Sequence, residues 1–282
     1  MTSGGEPVRA RFAIVAAWPL ALLLAGMSLG GLLTDAYARE APAWVAQAVG
    51  QDWFDLLIAA PWIAICGIGA RHSDRWRVLL AGAYAYTVYE LFIYVFAIHF
   101  NALFLVYCAT LGLASFALIA LLGELRERVY PVDRTAARLG GGFLIGLGSA
   151  FALLWLAEDL PAVLANTPSR TLVETGLFTN PVHAIDLAFV LPAHIVTGVL
   201  LWRRRPAGEL YGPIVLAFGI VMAASIGGMM VQIALSGGEA PLPVIVAMFA
   251  VTAASALVLA RVLRSSDRRA DRAYPADRPA WS

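Results

Sequence analysis

Ionisable side chains stand inside several long apolar runs of this 282-residue chain, where charged groups are rare and costly. The run from 183 to 202 contains His183, Asp186 and His194 and is followed by three consecutive arginines. His183 and Asp186 are spaced i, i+3 and therefore lie on one helix face. Together they could bind a divalent metal or an ammonium group. His194 points the same way but lies about 16.5 Å further along the helix, so the two histidines cannot share one ion.

A second set of polar residues recurs every four positions between about 78 and 98, where Tyr86, Glu90 and Tyr94 form one helical stripe. An ionised carboxylate at this depth costs on the order of 3 kcal/mol. The chain contains no lysine that could pair with it. We therefore expect Glu90 to be protonated, bonded to tyrosine hydroxyls or exposed to a wet cavity. The alternative is a structural tyrosine–carboxyl cluster that holds the helices together.

The segment from 52 to 71 repeats the pattern of 183 to 202 at a constant offset of 131 residues. Four identities share this offset: Asp55 with Asp186, Leu56 with Leu187, Pro61 with Pro192 and Gly67 with Gly198. We interpret the pattern as an internal duplication in which Asp55 is the repeat partner of Asp186. Asp52 then aligns with His183. The simpler interpretation of Asp52 and Asp186 is that they cap helix starts by accepting backbone N–H bonds.

The elements that must position these residues are membrane-spanning helices. Sixty per cent of residues are hydrophobic and 14% are charged, against about 25% charged in soluble domains. Apolar runs long enough to cross a bilayer predict eight helices, at about 12–33, 54–70, 78–98, 102–122, 140–157, 183–202, 211–235 and 242–264. The predicted fold class is an all-α, polytopic membrane protein. The first run is longer than the apolar part of a signal peptide, so we expect a retained helix.

The duplication predicts two tandem four-helix repeats, 12–130 and 131–264, in parallel orientation because four crossings return the chain to its starting side. A short tail, 1–11, precedes them, and a tail expected to be disordered, 265–282, follows. With these helices, 18 of the 20 arginines fall on one side of the membrane. Positive residues stay cytoplasmic, so we expect a cell-membrane protein with both termini inside.

The absence of lysine excludes Schiff-base chemistry and phosphate-loop binding. No serine or cysteine nucleophile arrangement and no dinucleotide glycine pattern occurs. The leading hypothesis is an outward-facing polar pocket that binds or translocates a small solute or cation, because duplication and polar groups within spans are typical of transporters. Its candidate ligand-binding residues are Asp55, Tyr86, Glu90, Tyr94, His183, Asp186 and His194.

Two further function classes stay open at this point. One is a membrane-embedded enzyme that depends on a divalent metal or haem, with His183 and Asp186 as candidate metal ligands. The other is a structural or assembly subunit whose polar groups only join helices. The expected partners are the lipid bilayer and a small solute or cation, and no nucleic acid. The sequence assigns no catalytic residue and no definite cofactor.

The arginine distribution predicts where engineered labels will lie. A reporter fused after Ser282 should be cytoplasmic, and a cysteine placed near Pro168 should react with a membrane-impermeant thiol reagent added outside whole cells. A cysteine near Arg128 should react only after the membrane is opened. Outside labelling near Arg128 would contradict the eight-helix topology.

Overall fold

The computed structural model describes residues 8–128 and 131–273, with side chains described from 11 to 128 and from 131 to 265. In these ranges no strand occurs, and eight helices are long and apolar enough to cross a membrane. They are Arg11–Leu33, Pro42–Gly69, Asp74–Ala97, Phe104–Leu125, Arg134–Ala165, Pro181–Trp202, Pro206–Leu235 and Leu242–Ser265. We number these spans one to eight. The predicted fold class, an all-helical multi-pass membrane protein, is confirmed.

Two spans are longer than predicted, and this shortens the loops between them. The second span begins at Pro42 rather than near 54, and the fifth continues to Ala165 rather than ending near 157. Proline is favoured in the first helical turn, so Pro42 fits the observed start. The connection before the second span is therefore only 34–41 and the one after the fifth only 166–180, which contains the short helix Arg170–Thr175. The last helix continues to Ala273, so residues 265–273 of the predicted disordered tail are helical. The rest of that tail, 274–282, and most of the predicted N-terminal tail, 1–7, lie outside the described residues.

The second and sixth spans each contain one wide π turn, at Asp55–Ala59 and Asp186–Val190. Each turn is closed by a backbone bond across five residues, from Ala60 N to the Asp55 carbonyl and from Leu191 N to the Asp186 carbonyl. A proline follows shortly after each turn, at 61 and 192. Proline lacks an N–H and clashes with the carbonyl four residues earlier, and a π turn relieves that conflict. The two turns begin at the aspartates of the 131-residue offset.

The eight spans pack as two four-helix groups with the same internal order. In the first group, the first span contacts the second and fourth, and the third span also contacts the second and fourth. The second group repeats this order with spans five to eight. Both glycines of the offset also face the first span of their own group: a Cβ on Gly67 would meet Ala17 at 2.6 Å, and one on Gly198 would meet Ile145 at 2.8 Å. Superposition of the groups by rotation about the membrane normal stays a prediction.

The two ends of the bundle differ in charge. We call the end that carries Arg71, Arg128 and Arg203 the arginine-rich face, and the end formed by residues 34–41, 98–103 and 166–180 the arginine-poor face. At the arginine-rich face, buried Arg77 donates to Glu124 at 2.7 Å and to the Ala70 carbonyl at 2.9 Å. This side chain therefore joins the second, third and fourth spans at the end opposite the predicted pocket.

The fifth span also begins at the arginine-rich face, with Asp133 as its N-cap. The Asp133 carboxylate accepts from the Ala136 N–H at 2.8 Å and from Arg261 of the eighth span at 3.0 Å. The Ala136 bond, together with Arg261, lowers the pKa of Asp133. The cap therefore also attaches the fifth span to the eighth.

The groups meet chiefly where the third span crosses the seventh, and this contact predicts a stability effect. A Cβ on Gly82 would lie 2.7 Å from the Phe218 backbone nitrogen, which cannot rotate away. Gly82→Ala should therefore lower the thermal unfolding midpoint of the detergent-solubilised protein, because overpacking costs about 1–3 kcal/mol. The matched control is Gly112→Ala, whose Cβ would meet nothing within 4 Å. It should leave the midpoint unchanged or raise it, since alanine is the better helix former. Equal effects of the two variants would show that this crossing is not tightly packed.

Candidate functional site

A cavity of about 270 Å³ lies between the two four-helix groups, on the side of the arginine-poor face. Its wall is mostly apolar and aromatic, with side chains from spans two, three, five, six, seven and eight. Trp44, Ile98 and Val182 line it near the helix ends, whereas His194 and Phe218 line its deepest part. Its ionisable or hydrogen-bonding lining residues include Gln51, Tyr86, Glu90, Tyr94, Trp155, Asp186, His194 and Ser225.

The two flanks between the groups pack differently. On one flank, Gly50 lies against Met229 and Gly228 lies against Phe54, where any Cβ would come within 3.0 Å of its neighbour. The second span therefore packs directly on the seventh. At the 131-residue offset the two glycines correspond to Pro181 and Ala97, so the flank between the sixth and third spans lacks them. The sixth span touches the third near Pro181–Ile185, and the cavity lies between them deeper along both helices.

The structure brings five of the seven candidate ligand-binding residues to this one cavity. Tyr86, Glu90 and Tyr94 of the third span line one wall. Asp186 and His194 of the sixth span line the opposite wall. Asp55 and His183 are not among the residues that line it. Asp55 is fully buried behind Tyr86, and His183 lies behind Trp155.

Gln51 is the centre of the hydrogen-bond network on the Glu90 wall. Its amide nitrogen donates to Asp55 Oδ1 at 2.8 Å and to Glu90 Oε2 at 3.2 Å, and it also contacts the Tyr86 hydroxyl. Its amide oxygen accepts from Ser225 at 2.8 Å. Tyr86 donates to Asp55 Oδ1 at 2.8 Å. One side chain thereby joins the second, third and seventh spans through their polar groups.

A separate network binds Asp52, which lies about one helical turn nearer the arginine-poor face than Asp55 does. Asp52 lies inside the second span, so the prediction that it caps a helix start is wrong. Its carboxylate accepts from Tyr37 at 2.7 Å and from Tyr94 at 2.9 Å, which provides one donor for each oxygen. Burial, followed by the neighbouring Asp52 carboxylate, raises the pKa of Tyr37 well above its ordinary value. Tyr37 therefore stays protonated and remains a donor.

The opposite wall is built on Trp155. Its indole nitrogen donates to Asp186 Oδ2 at 2.8 Å, and its ring stacks on His183 with centroids 4.1 Å apart. His183 Nδ1 lies 3.0 Å from both carboxylate oxygens of Asp159. Asp186 lies within the sixth span, whose start is capped by Asn180, so the capping interpretation of Asp186 is also wrong.

His194 is held deeper in the cavity by its own helix. Its Nδ1 lies 2.8 Å from the Val190 carbonyl. A carbonyl only accepts, so Nδ1 carries the proton and a neutral ring presents Nε2 as an acceptor. The ring meets Phe218 edge to face, with centroids 6.0 Å apart. His194 can therefore accept a hydrogen bond from a ligand at the bottom of the cavity.

The predicted metal pair has no third protein ligand in the part of the chain that the structure describes. Among those residues, no group of three or more His, Cys, Asp or Glu side chains could hold a metal ion. His183 faces Asp159, and one oxygen of Asp186 accepts from Trp155. Metal binding by His183 and Asp186 stays a prediction, as does haem binding.

Comparisons of the chain with protein-family models, curated proteins and solved structures find no match.

Several site residues were not among the predicted ones. Gln51 stands four residues before Asp55, and side chains at this spacing contact each other on a helix. The spacing gave no signal in the sequence because the second helix was predicted to start near 54 rather than at Pro42. Trp155 bonds to Asp186, and Ser225 donates to Gln51. Their partners lie on other spans, so no local spacing indicates them.

The Gln51 network predicts a stability effect at this site. Gln51→Leu should destabilise the purified protein by about 2–4 kcal/mol, because it removes donors from two buried carboxyl groups and an acceptor from Ser225. Gln47→Leu is the matched control, since Gln47 lines the same cavity one helical turn earlier and makes none of these bonds. Thermal unfolding in detergent measures both. If the Gln51 and Gln47 variants unfold at the same temperature, the network does not hold the spans together.

Proposed function

We propose that the protein binds a small organic cation with an apolar body in the cavity and translocates it across the membrane. The observation that carries this proposal is Glu90, which lines an apolar cavity and whose carboxyl oxygen Oε1 is buried without a hydrogen-bond partner. The residue is only 4% exposed. A buried acceptor without a donor is unfavourable by about 1–3 kcal/mol, and a cationic ligand would supply the missing partner.

The charges around the cavity favour cations over anions. Glu90 and Asp186 face it from opposite walls, and the described residues that line it include no arginine. The chain has no lysine. Clefts that present one sign of charge between low-dielectric walls concentrate ions of the opposite sign. An anion would meet two carboxyl groups without a compensating positive charge.

The remaining wall suits an apolar ligand body. Trp44, Phe151, Trp155 and Phe218 present aromatic surface to the cavity. Aromatic faces attract desolvated cations by about 2 kcal/mol or more, and they also pack against hydrocarbon groups. A volume of about 270 Å³ corresponds to a small ligand. A bare metal ion would leave most of this apolar surface uncovered.

The depth of the cavity within the membrane-spanning bundle supports translocation. Glu90 stands about 10 Å along its helix from the end of the third span, and His194 about 20 Å from the start of the sixth. The cavity therefore extends from the arginine-poor face towards the middle of the bundle. Polar sites at this depth, between two similar helical groups, are typical of transporters.

The test uses a quaternary cation and its neutral isostere. Benzyltrimethylammonium should bind the protein in lipid nanodiscs, measured by isothermal titration calorimetry, and neopentylbenzene should bind at least tenfold more weakly. Glu90→Gln should weaken cation binding by at least tenfold, about 1.4 kcal/mol, while expression stays largely intact. Glu127→Gln is the control, since Glu127 is exposed at the arginine-rich face.

Translocation is measured separately, as uptake of the labelled cation into proteoliposomes. Glu90→Gln should slow this uptake and Glu127→Gln should not. Equal binding of the cation and its neutral isostere would overturn the cation site. Tight binding without any uptake would restrict the function to binding.

A further inference from the structure

We infer that Asp55 and Glu90 share one proton, and that this proton leaves when a cation binds, so that the cavity exchanges protons for cations. The inference rests on the proposed function and adds the coupling ion. Two observations carry it: the number of donors around the two carboxyl groups, and the buried, unpartnered oxygen of Glu90, a residue that lines the cavity.

The donors near the pair are too few for two ionised carboxylates. Gln51 provides two N–H groups and Tyr86 one hydroxyl, and their bonds reach Asp55 Oδ1 and Glu90 Oε2. The Ser225 hydroxyl donates instead to the amide oxygen of Gln51. Asp55 Oδ2 and Glu90 Oε1 are left without a partner, although both are buried.

Asp55 Oδ1 and Glu90 Oε2 both accept from the amide nitrogen of Gln51, at 2.8 and 3.2 Å, so the two carboxyl groups lie beside one donor. Two carboxylates only accept, so a hydrogen bond between them requires a proton on one of them. One proton reduces the buried charge of the pair from two negative charges to one. The same proton supplies the donor that the two unpartnered oxygens lack. Like carboxylates at a shared site retain a proton for this reason.

Asp52 shows the contrast within the same span. Each of its oxygens accepts from a tyrosine hydroxyl, so it needs no proton to be satisfied. The other titratable groups that face the pair come from several elements. They are Asp52 of the second span and Tyr86 and Tyr94 of the third span, with Tyr89, Asp186 and His194 also lining the cavity. The described residues that line the cavity include no lysine or arginine.

The exchange balances in charge and protons. Before binding, the pair carries one proton and one negative charge. A monovalent cation enters beside Glu90, the proton leaves to water, and the pair then carries two negative charges with the cation as counter-ion. Loss of the proton leaves Glu90, which lines the cavity, ionised beside the cation. Return of the proton lowers the negative charge of the Asp55–Glu90 pair. This weakens the attraction between the pair and the cation, and the cation is released.

The first arm of the test is the pH dependence of benzyltrimethylammonium binding, because a quaternary cation carries no proton of its own. Wild-type affinity should rise about tenfold per pH unit, and titration in buffers of different ionisation enthalpy should show about one proton released per cation. Asp55→Asn should bind the cation with little pH dependence, because the amide can donate to an ionised Glu90. Glu127→Gln should behave as the wild type.

The second arm needs no ligand. Infrared spectra of the protein should show the carbonyl stretch of a buried protonated carboxylic acid at neutral pH. That band should be lost in Glu90→Gln and in Asp55→Asn, and kept in Glu127→Gln.

Binding without proton release and without pH dependence would overturn the exchange while leaving the cation site intact. A wild-type spectrum without the acid band would overturn the shared proton. If the cation does not bind at any pH, the proposed function fails and the exchange fails with it. The acid band then still decides whether the pair holds a proton.

Discussion

The structure depends on one constraint: a carboxyl group inside a membrane protein needs a donor or a cation within contact distance. In the described residues, two tyrosine hydroxyls donate to Asp52, and one tryptophan indole donates to Asp186. On the Glu90 wall the donors of Gln51 and Tyr86 are fewer than the oxygens they must serve. The shortfall lies beside a cavity, and this is why the proposed ligand and the proposed proton both belong there.

The cavity lies where the two four-helix groups pack unequally. On one flank, Gly50 and Gly228 let the second span approach the seventh closely. On the other flank, the sixth span touches the third near Pro181–Ile185, and the cavity lies between them deeper along both helices. The polar residues of the third and sixth spans face each other across it.

Hydropathy and helical spacing predicted the features that depend on one helix at a time. The eight spans followed from apolar runs, and the Tyr86, Glu90 and Tyr94 stripe followed from a spacing of four. The predicted helix ends were wrong where polar residues extend a span: the second helix was predicted from about 54 with Asp52 as its cap, but it begins at Pro42 and includes Gln51 and Asp52. The Gln51–Ser225 bond joins residues 174 positions apart, and its pairing depends on how the groups dock. No local pattern contains that information.

The two π turns have a consequence for the history of the chain. A π turn holds one more residue than the α-helical turn it replaces, so it is the mark of a single inserted residue. Under the predicted duplication, the extra residue occurs in both halves at the same distance before a proline. Copying preserves an insertion that already exists, whereas two independent insertions would have had to choose the same position. If the halves arose by duplication, as the 131-residue offset predicts, the insertion came before it. The ancestral four-helix chain would then have carried the bent helix with its aspartate, and two copies of that chain would have formed the bundle as a dimer.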